Sequence, residues 1–365
     1  MSRSLASLSK SIAVSFLALA ATTAALHAAD APKFYQLQSA LNLGGTGTSW
    51  DHIDYDQSHH RLYLSRRADG LTVIDTTTGK VVGQVDNAKG SGATAFNLKA
   101  DRGYTANTDG STSIFKLSDL SAVDRVSFGD NFDGVVYDAA TNILAYQQAD
   151  NKKELLIDAT SMKLVGTIET EGSQLERPAI DGKSNLYIPL RDKNGVVKVD
   201  LKTQKTVATW NLSAKCVEPS GAEFDIANNR LLLACRGRRI EPVMAVVDAD
   251  SGAVTATNPI GTGADDIILD PASKQLFVTA GVEGNLEVFK QEAADKYTMT
   301  EAVQTRVGAR VMRFDTETQK IFSMTAEGVF DTAKKNLAAI SPFYANTVQP
   351  GTFVLLTYGR GAPAQ

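Results

Sequence analysis

The chain has 365 residues, with 37 Lys and Arg against 41 Asp and Glu, and two cysteines. Its formal net charge of −4 at pH 7 gives no basic excess, which argues against a general nucleic-acid or anionic-membrane surface. Length alone allows one large domain or two.

The N-terminus reads as an address. Arg3 and Lys10 form a basic region, residues 12–26 are uncharged and rich in Ala, Leu, Val and Phe, and Ala28 and Ala29 offer a cleavage point. That apolar stretch has the length of an export core and is short for a bilayer span. The expectation is a Sec-type signal peptide over residues 1–29, removed on export to the periplasm of a Gram-negative bacterium. Its loss takes the net charge from −4 to about −6. No second long apolar run follows, so no transmembrane anchor is expected.

Beyond it a unit recurs. Asp56, Asn97, Asp138, Asp181, Asp225, Asp270 and Asp315 follow one another at intervals of 41 to 45 residues. Each is preceded by an apolar residue, from Tyr55 in the first copy to Phe314 in the last. That segment is strand a. After a polar turn comes strand b, at 61–64, 103–106, 143–146, 185–188, 230–233, 275–278 and 320–323. Strand c follows, as in 71–75, 155–158 and 245–248, and in five units an outer strand d, such as 80–85 or 206–210. The turns are too short for the crossover helices of a βαβ fold. Seven copies of four short strands predict an all-β, seven-bladed β-propeller of four-stranded antiparallel sheets, forming a single domain over residues 30–365.

The seventh unit supplies strands a and b, then strand c at 352–358. Residues 34–43 alternate as a d strand does, so the N-terminal strand is expected to complete the last blade and close the ring. Between strands b and c of this unit lies an insertion at about 325–351, with Asp331 or Thr332 placed to cap a short helix reaching Ile340. It reads either as a surface excursion or as a lid.

The segments LYLS at 62–65, GLTVIDTTTGKVVG at 70–83 and LFVTAG at 276–281 resemble the YncE-like propellers with YVTN-type repeats. The stretches CVEPSG at 216–221 and PGTFVLL at 350–356 resemble segments of exported members. The resemblance spans roughly residues 34–360 and implies the fold, while such propellers host many unrelated functions. Asn97 in place of Asp and Phe289 in place of the Asp that ends strand c depart from the pattern.

In a propeller the d-to-a and b-to-c loops share one face around the channel. Five residues before each anchor stand Asp51, Gly92, Asp133, Glu176, Ser220, Asp265 and Arg310, with His52, Arg177 and Asp266 next to them. Arg66 and Arg191 leave strand b toward the same face, with Arg67 and Arg236 adjacent to these exits. This mixed-charge funnel is the candidate ligand-binding site. Asp51, His52, Asp133, Glu176 and Asp265 are also the candidate ligands of a divalent cation, Ca²⁺ or Mg²⁺, although no cofactor is required by any motif. The competing view is a polar channel mouth whose acids and arginines neutralise one another. Trp50 reads as a pocket wall or as blade packing.

Cys216 lies just before strand a of the fifth unit and Cys235 ends its strand b, so antiparallel pairing places both at one end of a blade. They are expected to form a structural disulfide. Nucleophile elbows, zinc-protease and phosphate-loop motifs are absent from the sequence. The leading expectation is therefore a non-catalytic, monomeric periplasmic binding or scaffold protein for a protein, peptide or small polar ligand. The alternatives are a metal-dependent lactonase-like hydrolase, the propeller subunit of a periplasmic redox complex and, with least support, a single-stranded nucleic-acid binder.

Overall fold

The computed structural model describes residues 34–237, 240–329, 331, 333 and 345–361. The signal peptide over 1–29 and most of the helix expected over 331–340 lie outside them.

Among the described residues the chain folds into seven four-stranded antiparallel sheets. Blade 1 comprises Ile53–Asp56, Arg61–Ser65, Leu71–Asp75 and Lys80–Val85, the a, b, c and d strands from the inside outward. The next five blades repeat this order without interruption, ending with Lys296–Gln304 as strand d of blade 6. In blade 7, Met312–Asp315, Lys320–Thr325 and Val354–Gly359 are joined on the outside by Gln36–Asn42 from the N-terminus. The junction carries its own clasp: Glu301 of blade 6 accepts from the Tyr35 backbone N–H at 2.9 Å and pairs with Arg360. The Arg360 guanidinium lies 4.2 Å above the Tyr35 ring.

The repeated Asp or Asn has a local physical role. In every blade its side chain accepts backbone N–H groups of the turn that follows, as Asp56 does from Ser58 and His59, and Asp315 from Glu317 and Thr318. Such Asx turns satisfy donors that a tight reversal leaves without partners. Each turn then ends on a left-handed residue, from His60 in blade 1 to Gln319 in blade 7.

Seven hydrophobic clusters hold the ring, and each fills the seam between two neighbouring blades. Tyr187, Trp210, Phe224 and Leu233 pack blade 4 on blade 5, and Trp50, Leu64, Phe322 and Phe353 pack blade 7 on blade 1. Strands b and c are therefore covered on both faces, which is why stretches such as Leu231–Leu233 are continuously apolar. Strands d lie at the rim and expose Val81, Leu164 and Val207.

The insertion starts and ends as a two-stranded ribbon, with Gly328–Val329 paired to Thr347–Val348. Cys216 and Cys235 are joined, with Cα atoms 5.4 Å apart, inside the seam of blades 4 and 5.

Candidate functional site

The inner strands line the channel, and their charged residues fall into two levels. At the end formed by the d-to-a and b-to-c loops, the structure gathers Asp51, Asp133, Glu176, Arg191, Asp265 and Arg310 from the expected funnel, together with the adjacent Arg67 and Arg236. They are paired almost throughout. Arg67 bonds to Asp51 and lies 3.6 Å from Asp133. Arg191 bonds to Glu176, and Asp265 takes both Arg236 and Arg310, the latter at 2.5 Å. Gly92 stands between Asp51 and the backbone of Asp133, each 3.4 Å from where a β-carbon would lie. Burial raises Asp51 to about 6 and Glu176 to about 7, against the pull of their arginines, and lowers Arg236 to about 10.

Two expected funnel residues behave differently. Arg66 is only 2% exposed and sits in the blade 7–blade 1 seam instead of the channel. Its guanidinium pairs with Asp69 at 2.8 Å, donates to the carbonyls of Leu43 and Gly44, and stacks 4.9 Å over Phe353. It fastens the N-terminal segment, because strand b of blade 1 leaves its sheet directly beneath that segment. Trp50 resolves as blade packing, edge-on to Phe353 at 5.3 Å. His52 is kept neutral by burial and by Arg177, Arg310 and Arg67, which push its pKa well below the ordinary value. Its Nε2 is 3.9 Å from Asp51, and its buried Nδ1 has no hydrogen-bond partner among the described residues.

The second level lies further along the channel. A cavity of about 560 Å³ runs down the inner strands to the a-to-b turns at Gln57 and Leu98. It contains Arg177 and Asp266 from the expected set, together with Asp54, Glu223 and Arg313, which the sequence reading did not select. Asp54 is its hub. One carboxylate oxygen meets Arg177 at 2.6 Å and Arg313 at 3.2 Å, while the other accepts the Thr94 N–H at 2.7 Å. Arg313 also pairs with Asp266 at 2.8 Å. Apolar side chains including Val136, Ile268 and Phe314 complete the wall. Burial raises Asp54 and lifts both Glu223 and Asp266 to about 7.

A signal for the missed residues was present. Side chains two apart on a strand share a face. His52, Arg177 and Asp266 therefore point the same way as Asp54, Ala179 and Ile268, and Glu223 and Arg313 hold the corresponding register in blades 5 and 7. Charge at that register in three copies, where the others carry Ala95, Val136, Ala179 and Ile268, marks the lower level.

Asp54 holds two guanidinium groups inside the channel, so Asp54→Asn is expected to lower stability by about 2 kcal/mol, less than a fully buried pair because both arginines retain some solvent contact. Urea unfolding of the variant at pH 7 measures this, and an unchanged midpoint would show that the arginines find other partners.

Among the described residues no three His, Cys, Asp or Glu side chains come together as a metal-ligand group. The five candidate ligands Asp51, His52, Asp133, Glu176 and Asp265 are instead interleaved with arginines.

No family model matches the sequence, and no curated protein matches it. Solved structures do. Kuenenia stuttgartiensis hydrazine synthase has a chain similar at a TM-score of 0.65 and 14% identity, over 78% of this chain and 94% of that one. A chain of the mitotic checkpoint complex is similar at 0.69 and 12% identity, over 86% and 95%. The WD40 repeats of RRP9 are similar at 0.69 and 7% identity, over 90% and 99%. At such identities the likeness concerns the fold alone, and the chain shares with these structures the architecture of a seven-bladed β-propeller.

Proposed function

We propose that this chain is an exported binding propeller that takes a small polar ligand into the lower half of its channel. The observation that carries this reading is the cavity of about 560 Å³, a volume typical of small-molecule sites, in which a few convergent charged groups face an apolar wall. The charges at the opposite end are satisfied by one another, which favours a structural role for them. Arg191, Glu176, Asp265 and Arg310 then brace the ring, and Asp54, Arg177, Glu223, Asp266 and Arg313 meet the ligand. The disulfide supports an oxidising compartment, in keeping with periplasmic export and with the resemblance to exported YncE-like propellers.

The test is a thermal-shift screen of the mature protein against small cationic, anionic, zwitterionic and neutral compounds at 1 mM. At least one class is expected to raise the melting temperature of the wild type and to leave Arg177→Met unmoved. Capture of a periplasmic protein on the rim or loops, with no small compound shifting the wild type, would replace the cavity by a protein-docking face.

A further inference from the structure

The two levels of the channel differ in charge balance. At the upper level four carboxylates, Asp51, Asp133, Glu176 and Asp265, face four guanidiniums, Arg67, Arg191, Arg236 and Arg310. At the lower level three carboxyl groups, Asp54, Glu223 and Asp266, face only Arg177 and Arg313. Asp56 also borders the cavity, but it is turned into its own reversal by Ser58 and by His59, whose Nδ1 is 2.6 Å away. His52, between the levels, is neutral.

The group left over is Glu223. Among the described residues no Lys, Arg or His nitrogen lies within ion-pair distance of it, and one of its oxygens accepts the adjacent Phe224 N–H at 3.0 Å. Arg177 bonds to Asp54 and acts on Glu223 only from beyond ion-pair distance, and Arg313 is committed to Asp54, Asp266 and the Met312 carbonyl. Around it the wall is apolar: Ala222, Ala179, Ile180 and Ile268. A carboxylate with no directly bonded countercharge, in a cavity large enough for a ligand, is a candidate cation-binding group.

Building on the cavity reading above, we propose that the lower channel binds a small organic monocation, a primary ammonium on a short apolar body, with the ammonium on Glu223 and the body against Ile180 and Ile268. Blades 2 and 3 bring no charged group to this space, only Thr94, Ala95, Leu98, Val135 and Val136 together with the rings of Phe96 and Tyr137. The charged groups acting on Glu223 and Asp266 are thus Arg177, Arg313, Asp54, Asp225 and each other. In the free protein a proton supplies the missing positive charge, because burial keeps these carboxyls protonated up to about pH 7. The ammonium ion takes its place: the O–H bond of the carboxylic acid breaks, the proton leaves to solvent, and the carboxylate accepts from the ammonium.

The experiment is isothermal titration of the mature protein with n-butylammonium chloride, with sodium butyrate and n-butanol as anionic and neutral counterparts of the same size. Butylammonium alone should bind. Its affinity should fall roughly ten-fold from pH 8 to pH 6, as expected when a ligand competes with a proton held at about 7. Titrations at pH 7 in phosphate and in Tris, whose ionisation heats differ, should report release of a fraction of one proton. Glu223→Gln is nearly isosteric with the protonated acid and should fold with an unchanged melting temperature at pH 6, yet lose both binding and proton release. Binding of butyrate or butanol in preference to the ammonium, or butylammonium binding that Glu223→Gln leaves intact, would overturn the cation assignment while leaving a ligand-binding cavity. Silence of all three probes would overturn it as well, and silence of the wider screen would remove the reading beneath it.

Discussion

Replacing Cys216 and Cys235 together by alanine is expected to lower the unfolding free energy by about 3 kcal/mol, the loop-closure entropy of a crosslink spanning about twenty residues. The bridge joins positions 19 residues apart. It ties the approach to strand a of blade 5 to the end of its strand b, where Pro219 faces Cys235 across the ladder. Both sulfurs are fully buried beside Tyr187, Trp210 and Phe224, so the variant also loses packing in the seam of blades 4 and 5. The residue after Cys235 is Arg236, which reaches Asp265 of blade 6, so the loosened end disturbs the upper ion-pair ring too. Urea unfolding of the double variant, and of the wild type with and without reductant, measures the effect. A midpoint that neither substitution nor reductant moves would mean that the two strands are held by their ladder alone.

The second large effect is a dependence on pH that runs opposite to that of most soluble proteins. Glu154 in strand c of blade 3 has no exposed surface, and its one side-chain partner among the described residues is the amide of Gln147 at 2.6 Å. Burial pushes its carboxyl up to about 8. Glu176, Glu223, Asp266 and Glu287 are raised to about 7 and Asp51 to about 6, each chiefly by burial. Unfolded, these groups ionise near pH 4. Between pH 4 and 8 the native state therefore holds more protons than the unfolded chain, and stability falls as pH rises through that window.

Below about pH 4 the sign reverses. Asp75, Asp158 and Asp248 are lowered by hydrogen bonds from Thr77, Ser161 and Ser251 in their turns, and stability is lost as they protonate. The maximum should lie near pH 5. Glu154→Gln, which keeps the shape of the protonated acid, should change stability by less than about 1 kcal/mol at pH 5 and raise it by about 5 kcal/mol at pH 9. Denaturant midpoints for wild type and variant at the two pH values decide the matter. Equal slopes against pH in both proteins would show that Glu154 is ionised at little cost.

The repeat was legible because it is local chemistry. Each of the seven Asp or Asn anchors caps a turn within four residues of itself, so its spacing is written directly into the chain. The apolar character of strands b and c was legible for a related reason: both faces of a blade are covered, and few polar residues survive there. The cysteine pair could be read from strand order, since antiparallel pairing alone brings 216 and 235 together.

The candidate site was legible only in part. Glu176, Arg191, Asp265 and Arg310 were selected by position relative to the anchors and do meet, but sequence spacing carries no information on whether an acid faces an arginine or an empty space. Arg66 was placed in the funnel by the same rule and lies in a seam, because the N-terminal strand, distant in sequence from blade 7, supplies carbonyls that draw it aside. Asp54, Glu223 and Arg313 are pointed to by strand alternation but not by spacing from the anchors' loop ends.

By itself, then, the sequence determined the number of blades, the order of strands and the crosslink, all of which follow from contacts between residues close together in the chain. The tertiary structure decided which charges cancel and which are left over, since Arg313 meets Asp54 only when the ring closes and brings residues 259 apart to one channel. Electrostatic balance inside a cavity depends on distances of a few ångströms between groups from different blades, and those distances exist only in the closed ring.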